Sequence, residues 1–475
     1  MKRQVCYGYL VDSVNIVLIS PYEIGRQPFG LAEPVAWLRD AGFSVSCIDL
    51  SIQRLDPELL GRADLVAIYI AMHTATRIAI EALPKIRQLA PKASLCVYGL
   101  YAPMNESLFR EKGVSTVLGG ECEPELVSLA RRLSQAPDGE QVEPVISLKK
   151  ISFMVPDRSG LPSIEKYAHL VLPDGSKKLS GFAETTRGCK YLCRHCPVVP
   201  VYKGTFRVIP AETVMQDIRT QVAAGARHIS FGDPDFLNGP AHALTVMRAL
   251  HREFPDVSYD ATLKVEHIIR YPEILDELRE TGCLFVTTAV ESVDDQVLAR
   301  LDKGHTNADF GEAVAICRDR GIALAPTFVP FTPWISRQGY VDLLTRLVEL
   351  ELVECVPPVQ LSIRLLVPEG SWLLKVEGFS DYLGEFDPLL LGYPWKNPDP
   401  GVDRLQRQIQ EHVAKAEMEG QGRFEIFSAI WSMAHQALGR PVPDLEVHHE
   451  GVPVPHLSEA WYCCAEPTDQ QLDGF

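Results

Sequence analysis

Between Glu184 and Cys196 the chain reads Glu-Thr-Thr-Arg-Gly-Cys-Lys-Tyr-Leu-Cys-Arg-His-Cys, so Cys189, Cys193 and Cys196 share one short loop at Cys-x3-Cys-x2-Cys spacing. Soft thiolates are the ligands that iron-sulfur clusters require. Three of them can hold three irons of a four-iron cluster and leave the fourth iron open to another ligand. Zinc is the rival occupant, with His195 as a fourth ligand. Zinc sites usually pair ligands across two knuckles, however, and no second Cys-x2-Cys or His pair lies close in sequence. Adjacent His195 and Cys196 would also chelate one ion awkwardly.

A second cysteine feature is the pair Cys463-Cys464, followed by Ala-Glu-Pro. Neighbouring thiols can bind a soft metal or metalloid, form a vicinal disulfide, or deliver electrons and hydrogen atoms. The other seven cysteines, Cys6, Cys47, Cys96, Cys122, Cys283, Cys317 and Cys355, stand singly in strand or helix patterns. They read as small buried hydrophobes.

The elements that must position these thiols are legible as alternating apolar runs. Strands are expected over 16–20, 44–50, 63–71, 93–99 and 115–118, with helices over 31–41 and 76–89 and Gly119-Gly120-Glu121 after the last strand. That alternation predicts a Rossmann-like, doubly wound parallel sheet over 1–135. Periodicity fades over 136–179, the expected linker. From 180 to 370, strands over 228–231, 257–263, 284–290, 322–329 and 359–366, together with one before Cys189, predict a partial (β/α)6 barrel of the TIM type. Residues 371–475 form a helical extension, with helices over 402–418 and 424–438, that ends in the cysteine pair. The fold class is α/β.

In parallel barrels the working residues follow the carboxyl ends of the strands. There the chain carries Gly232-Asp233-Pro-Asp235, then Lys264-Val-Glu266-His267, then Glu291-Ser292. A ligand with an ammonium group and ribose hydroxyls would find acceptors at Asp233, Asp235 and Glu291. Lys264, Glu266, His267 and Arg364 are candidate substrate contacts. A formal net charge of -16 over 475 residues argues against an extended phosphate-binding surface, so nucleic acid is not an expected partner. No secretory signal opens the chain and no apolar run reaches membrane-spanning length, which predicts a cytoplasmic protein that does not enter a membrane.

Taken together, the cysteine spacing after Thr-Thr-Arg-Gly and the six-unit barrel resemble the radical S-adenosylmethionine (SAM) enzymes. Val290-Glu-Ser and Leu301-Asp-Lys-Gly-His-Thr306 resemble the subgroup that carries an N-terminal cobalamin-binding-like domain. The resemblance implies that a 4Fe-4S cluster binds SAM through its open iron and that reduction cleaves a carbon-sulfur bond to give a carbon radical. It implies SAM contacts at Gly232 and Asp233 for the amino group, and at Glu291 and Ser292 for the ribose. A low-potential electron donor such as flavodoxin or ferredoxin is implied as a partner. His195 departs from the family, which has an aromatic residue there. The Asp-x-His-x-x-Gly signature that ligates cobalt is absent, so either cobalamin binds without a protein ligand or the domain is an empty relic. The ending resembles the radical SAM family named for its CUAEP or CCAEP tail, some members of which carry selenocysteine, and this implies redox or metalloid-binding work for Cys463 and Cys464. A related enzyme type joins the aminocarboxypropyl group of SAM to arsenic, so a metalloid or small-molecule substrate is expected. Cobalamin-dependent methyl transfer and a non-catalytic iron-sulfur sensor are the alternatives.

Overall fold

The computed structural model describes residues 14–135, 143–445, 454–459 and 471. Two compact units divide between Pro162 and Ser163.

In the first unit, near-continuous apolar runs make strands buried on both faces, as parallel sheets need. The order along the chain is β1 (Asn15–Ser20), α1 (Phe29–Asp40), β2 (Ser44–Asp49), α2 (Pro57–Gly61), β3 (Leu65–Tyr69), α3 (His73–Leu89), β4 (Ser94–Tyr98), α4 (Glu106–Glu111), β5 (Thr116–Gly120), α5 (Glu123–Ser134) and β6 (Ile146–Ser147). The sheet runs β2-β1-β3-β4-β5-β6. Strand β6 lies in the stretch expected to be linker and pairs parallel to β5, Gly119 beside Ile146 and Gly120 beside Ser147. The strand order reverses between β1 and β3, the position where sheets of this kind take ligands. There the first turn of α1 seats on the strand ends, because a Cβ at Gly30 would lie 2.1 Å from the Tyr69 ring. Tyr98 locks this contact by donating its hydroxyl to the Gly30 carbonyl at 2.8 Å.

The second unit opens with a hairpin, β7 (His169–Val171) and β8 (Lys177–Ala183), turned by Leu172-Pro-Asp-Gly-Ser176. It continues with β9 (Thr186–Gly188), α6 (Val198–Tyr202), β10 (Phe206–Val208), α7 (Ala211–Ala223), β11 (His228–Phe231), α8 (Pro240–Glu253), β12 (Ser258–Thr262), α9 (Val265–Arg270), α10 (Pro272–Glu280), β13 (Cys283–Glu291), α11 (Asp295–Leu301), α12 (Asn307–Asp319), β14 (Ala323–Phe328) and α13 (Arg337–Glu349). Helices α14 (Pro400–Met418) and α15 (Arg423–Ala437) and the short β15 (His456–Leu457) complete it. The sheet order is β14-β13-β12-β11-β8-β7-β15. Its strands β14, β13, β12, β11 and β8 are parallel and curl into a half-barrel.

The expected sixth strand over 359–366 does not form. Pro358–Leu361 is a 3-10 turn instead, and only Arg364 bridges Phe331 in parallel. Pro357 and Pro358 supply no N–H to a strand ladder, which leaves this end of the sheet short.

Side-chain alternation sets what the half-barrel encloses. Tyr259 faces the helices, sharing a hydrogen bond with Thr281 at 2.7 Å, so Ser258, Asp260 and Thr262 face inward. Asp260 accepts there from His228 Nε2 at 2.9 Å and from Ser230 Oγ at 2.6 Å. Filled barrels stack bulky branched residues at such positions. Here Thr262, Ala289, Ala325 and Thr327 are small and only half-buried, so no bulky side chain fills these positions.

Candidate active site around the cysteine loop

Strand β9 delivers the loop. It pairs antiparallel with β10, Gly188 opposite Phe206, and Gly188 takes a φ of 79°. A Cβ there would lie 2.5 Å from the Thr205 carbonyl oxygen and 2.6 Å from the Tyr202 ring, so both conformation and space require glycine. Cys189 and Cys193 are buried and Cys196 is half-buried. Asn238 spans the start of the loop, its Oδ1 accepting from the Lys190 N–H at 3.3 Å and its Nδ2 donating to the Gly188 carbonyl at 3.3 Å. Arg194 ties the second half down by donating to the carbonyls of Ala299 and Arg300 at 3.3 and 2.9 Å, at the negative end of α11.

Burial pushes the Cys189 thiol up to about 11 and the Cys196 thiol up to about 12. Both are therefore protonated at neutral pH without metal, and metal binding must displace the protons. Among the described residues, no three His, Cys, Asp or Glu side chains converge as a site for a single ion does. A cube-shaped cluster asks for something else, one thiolate for each of three irons, and three sulfurs from one loop are the donor set it takes.

Three buried carboxylates surround this loop. Asp233, after β11, accepts from the Thr185 N–H at 2.9 Å, the Thr185 hydroxyl at 2.7 Å, and the Thr186 N–H and hydroxyl at 2.6 Å each. Burial raises its carboxyl to about 6 against the pull of those donors. Neighbouring Gly232 lets β11 close on Phe182, whose ring a Cβ would meet at 2.0 Å. Asp235 holds His267 Nδ1 at 3.1 Å, and His267 Nε2 meets the Tyr191 hydroxyl at 2.8 Å, within the loop itself. The Lys264 ammonium sits 3.4 Å from the Tyr191 ring centroid.

Glu291, at a bulge between β13 and β14, adopts a φ of 70°, a strained backbone for a residue with a Cβ. It receives His195 Nε2 at 3.1 Å and Lys303 Nζ at 3.3 Å. Burial alone would raise its carboxyl, but Lys303 and His195 outweigh burial and hold it at about 2. Ser292 accepts from the Asp294 N–H at 3.1 Å and shapes the next turn.

Every candidate of the loop and strand ends therefore lies around one centre in the second unit. Asp233, Asp235 and Glu291, read as acceptors for a ligand, also accept hydrogen bonds from the cysteine loop and its flanks, and Asp235 Oδ2 is buried without a hydrogen-bond partner. Of the candidate substrate contacts, Arg364 is engaged by Asp403 at 2.8 Å and stacked on Trp395, away from any free role. Lys264 pairs with Glu266 at 2.8 Å. Sequence reasoning missed Thr185, Thr186, Tyr191 and Asn238, whose types are ordinary in loops, and gave Lys303 no role although it stands in the Leu301-Asp-Lys-Gly-His-Thr306 run. Cys463 and Cys464 lie outside the described residues.

The comparisons with known proteins coincide with this centre. Residues 183–333 match the Radical SAM superfamily. That stretch is a radical SAM domain, and the protein is an enzyme of the radical SAM class, with a 4Fe-4S cluster and SAM as its cofactors. "Putative methylthiotransferase MJ0865" of Methanocaldococcus jannaschii is 23% identical over 434 residues, covering 83% of this chain and 91% of that protein. A tRNA-2-methylthio-N(6)-dimethylallyladenosine synthase of Chlorobium phaeovibrioides is 29% identical over 163 residues, covering 32% of this chain and 35% of that protein. The cobalamin-dependent SAM radical enzyme OxsB, solved with aqua-cobalamin bound, has the same fold, with a TM-score of 0.69 at 14% identity over 86% of this chain and 67% of that one. Relatives that modify tRNA mean that net charge does not decide against nucleic acid. No helix among the described residues is long and apolar enough to cross a membrane.

Proposed function

We propose that Cys189, Cys193 and Cys196 hold the 4Fe-4S cluster and that the enzyme reductively cleaves SAM there to begin radical chemistry on a small polar substrate. One observation carries this reading: three buried carboxylates, Asp233 and Asp235 after β11 and Glu291 at the end of β13, hold the cysteine loop and its flanks. When bound, the cluster supplies the electron that breaks a carbon-sulfur bond of SAM. The protein's part is to hold the loop rigid, to keep Lys303 beside Glu291, and to offer the substrate a lumen lined by Ser, Thr, Ala, His and Asp. That lining favours a small polar molecule over an extended hydrocarbon.

The tail motif Cys463-Cys464-Ala-Glu-Pro supports membership of the CCAEP-tail family and a redox or metalloid-binding part for the two thiols. A second reading, cobalamin-dependent methyl transfer, draws support from the doubly wound sheet of the first unit and from the fold likeness of the chain to an enzyme solved with aqua-cobalamin bound. Its sole histidine, His73, is buried in the first turn of α3, so a corrinoid would be held there without an imidazole from an exposed loop.

Anaerobic reconstitution with iron and sulfide, followed by reduction with SAM present and mass analysis, separates the readings. Methylthioadenosine marks transfer of the aminocarboxypropyl group, and S-adenosylhomocysteine with 5'-deoxyadenosine marks methyl transfer through cobalamin. A protein that takes up zinc but no iron, or that leaves SAM intact, overturns the proposal. Cys463→Ser and Cys464→Ser variants of full activity would remove the tail from it.

A further inference from the structure

A cluster that starts radical chemistry must be given an electron, and a carrier protein is too large to bring it through the mouth of a half-barrel. The electron has to arrive on the outer side of the cysteine loop. That side carries a charge unlike the rest of the chain. Between Glu184 and Glu212 stand Arg187, Lys190, Arg194, Lys203 and Arg207 and no Asp or Glu, in a chain whose formal net charge is -16. Asp233, Asp235 and Glu291, which reach this stretch from within, are buried.

The backbone gathers the cations around an exposed apolar side chain. Arg207 lies directly opposite Arg187 in the β9–β10 ribbon. Leu192, between Cys189 and Cys193, is 40% exposed. It lies over the turn that joins α6 to β10, where a Cβ at Gly204 would sit 3.2 Å from its Cδ2. Val208, at the end of β10, is 46% exposed, and β10 pairs with β9 alone among the described residues.

Lys203 stands out among the five. It ends α6 at φ 49° and ψ 43°, a left-handed conformation in which glycine is the usual residue. Lys190 donates to the Asn238 carbonyl at 3.3 Å and Arg194 to the end of α11. The Lys203 side chain is exposed and its ammonium makes no ion pair or hydrogen bond among the described residues. A strained backbone thus holds a free cation beside an exposed leucine, and an outlier of that kind points to a use.

Apolar side chains within a rim of cations suit an acidic protein partner. The acidic remainder of the chain repels such a partner, so this patch orients it as well as attracting it. Nucleic acid asks instead for a longer positive track along its phosphates, and a leucine at the centre contributes nothing to that.

We propose that the outer face of the cysteine loop, with Leu192 at its centre and Lys203 on its rim, is the docking surface for an acidic one-electron carrier protein that reduces the cluster. This rests on the reading that the loop holds a cluster. The test follows cluster reduction in the anaerobically reconstituted full chain, with pre-reduced flavodoxin as the carrier and dithionite as a small reductant that needs no docking surface. Lys203→Glu, which keeps the Cβ, should take up iron and react with dithionite as wild type does. Its reduction by flavodoxin at low salt should slow about tenfold, and adding Val208→Asp should slow it further. The difference should shrink as salt rises, because salt screens exposed charges. A flavodoxin rate within twofold of wild type in both variants overturns the proposal, as does a difference that salt leaves unchanged. Equal slowing with dithionite also overturns it, since the substitution would then act on the cluster and not on the carrier. If the variants lose affinity for bulk tRNA while flavodoxin still reduces them normally, the surface belongs to nucleic acid and the proposal falls. A wild type that takes up no iron, or whose cluster dithionite leaves oxidised, overturns the functional reading and the docking surface with it.

Discussion

Asp233 and Glu291 are both buried acids beside the same loop, yet their surroundings act in opposite directions. Asp233 faces hydrogen-bond donors without a full positive charge, and burial prevails, whereas Glu291 faces Lys303 and His195, and the charges prevail. Asp233→Asn turns an amide N–H toward donors that already need an acceptor. It should cost about 2 kcal/mol in urea unfolding of the cluster-free protein, together with iron uptake. Glu291 has its folded carboxyl at about 2 against an ordinary 4.5. A depressed acid stabilises the fold above its unfolded value and loses that contribution as pH falls through the folded one. The stability gap between wild type and Glu291→Gln should therefore be full at pH 6 to 7 and close between pH 4.5 and about 2. A gap that widens on acidification would contradict the ion pair.

At the scale of elements, β9 and α11 set the loop's shape from its two sides. Gly188→Ala forces a Cβ to within 2.5 Å of a backbone oxygen at a φ of 79°, where no flexible side chain can yield. The protein should fold but fail to retain iron, as metal analysis after reconstitution would reveal. Arg194→Ala removes the cap on α11 and should cost about 1 kcal/mol, with faster hydrogen exchange confined to the last turn of α11 and the loop. The alternation of strands and helices was legible before the fold, because parallel strands buried on both faces leave continuous apolar runs. The sixth barrel strand was not, since 359–366 is apolar enough for a strand while the prolines before it break the ladder. Strand β6 was hidden for the opposite reason: two residues are too few to make a pattern.

Over the whole molecule, the chain forms two compact units, each with its own sheet. If the first unit takes a corrinoid, hydroxocobalamin added to the purified chain should give a spectrum with no histidine on cobalt. His73→Ala should then leave that spectrum unshifted; a shift on substitution would make His73 a ligand despite its burial. Cys189, Cys193 and Cys196 were readable from spacing alone, because three ligands within one loop are near one another whatever the fold does. The radical SAM class followed from them. What the carboxylates do was decided only by tertiary structure. A strand-end Asp reads the same in sequence whether it meets a ligand's ammonium or the N–H groups of Thr185 and Thr186, and hydrogen bonds between residues 47 and 48 positions apart leave no local trace.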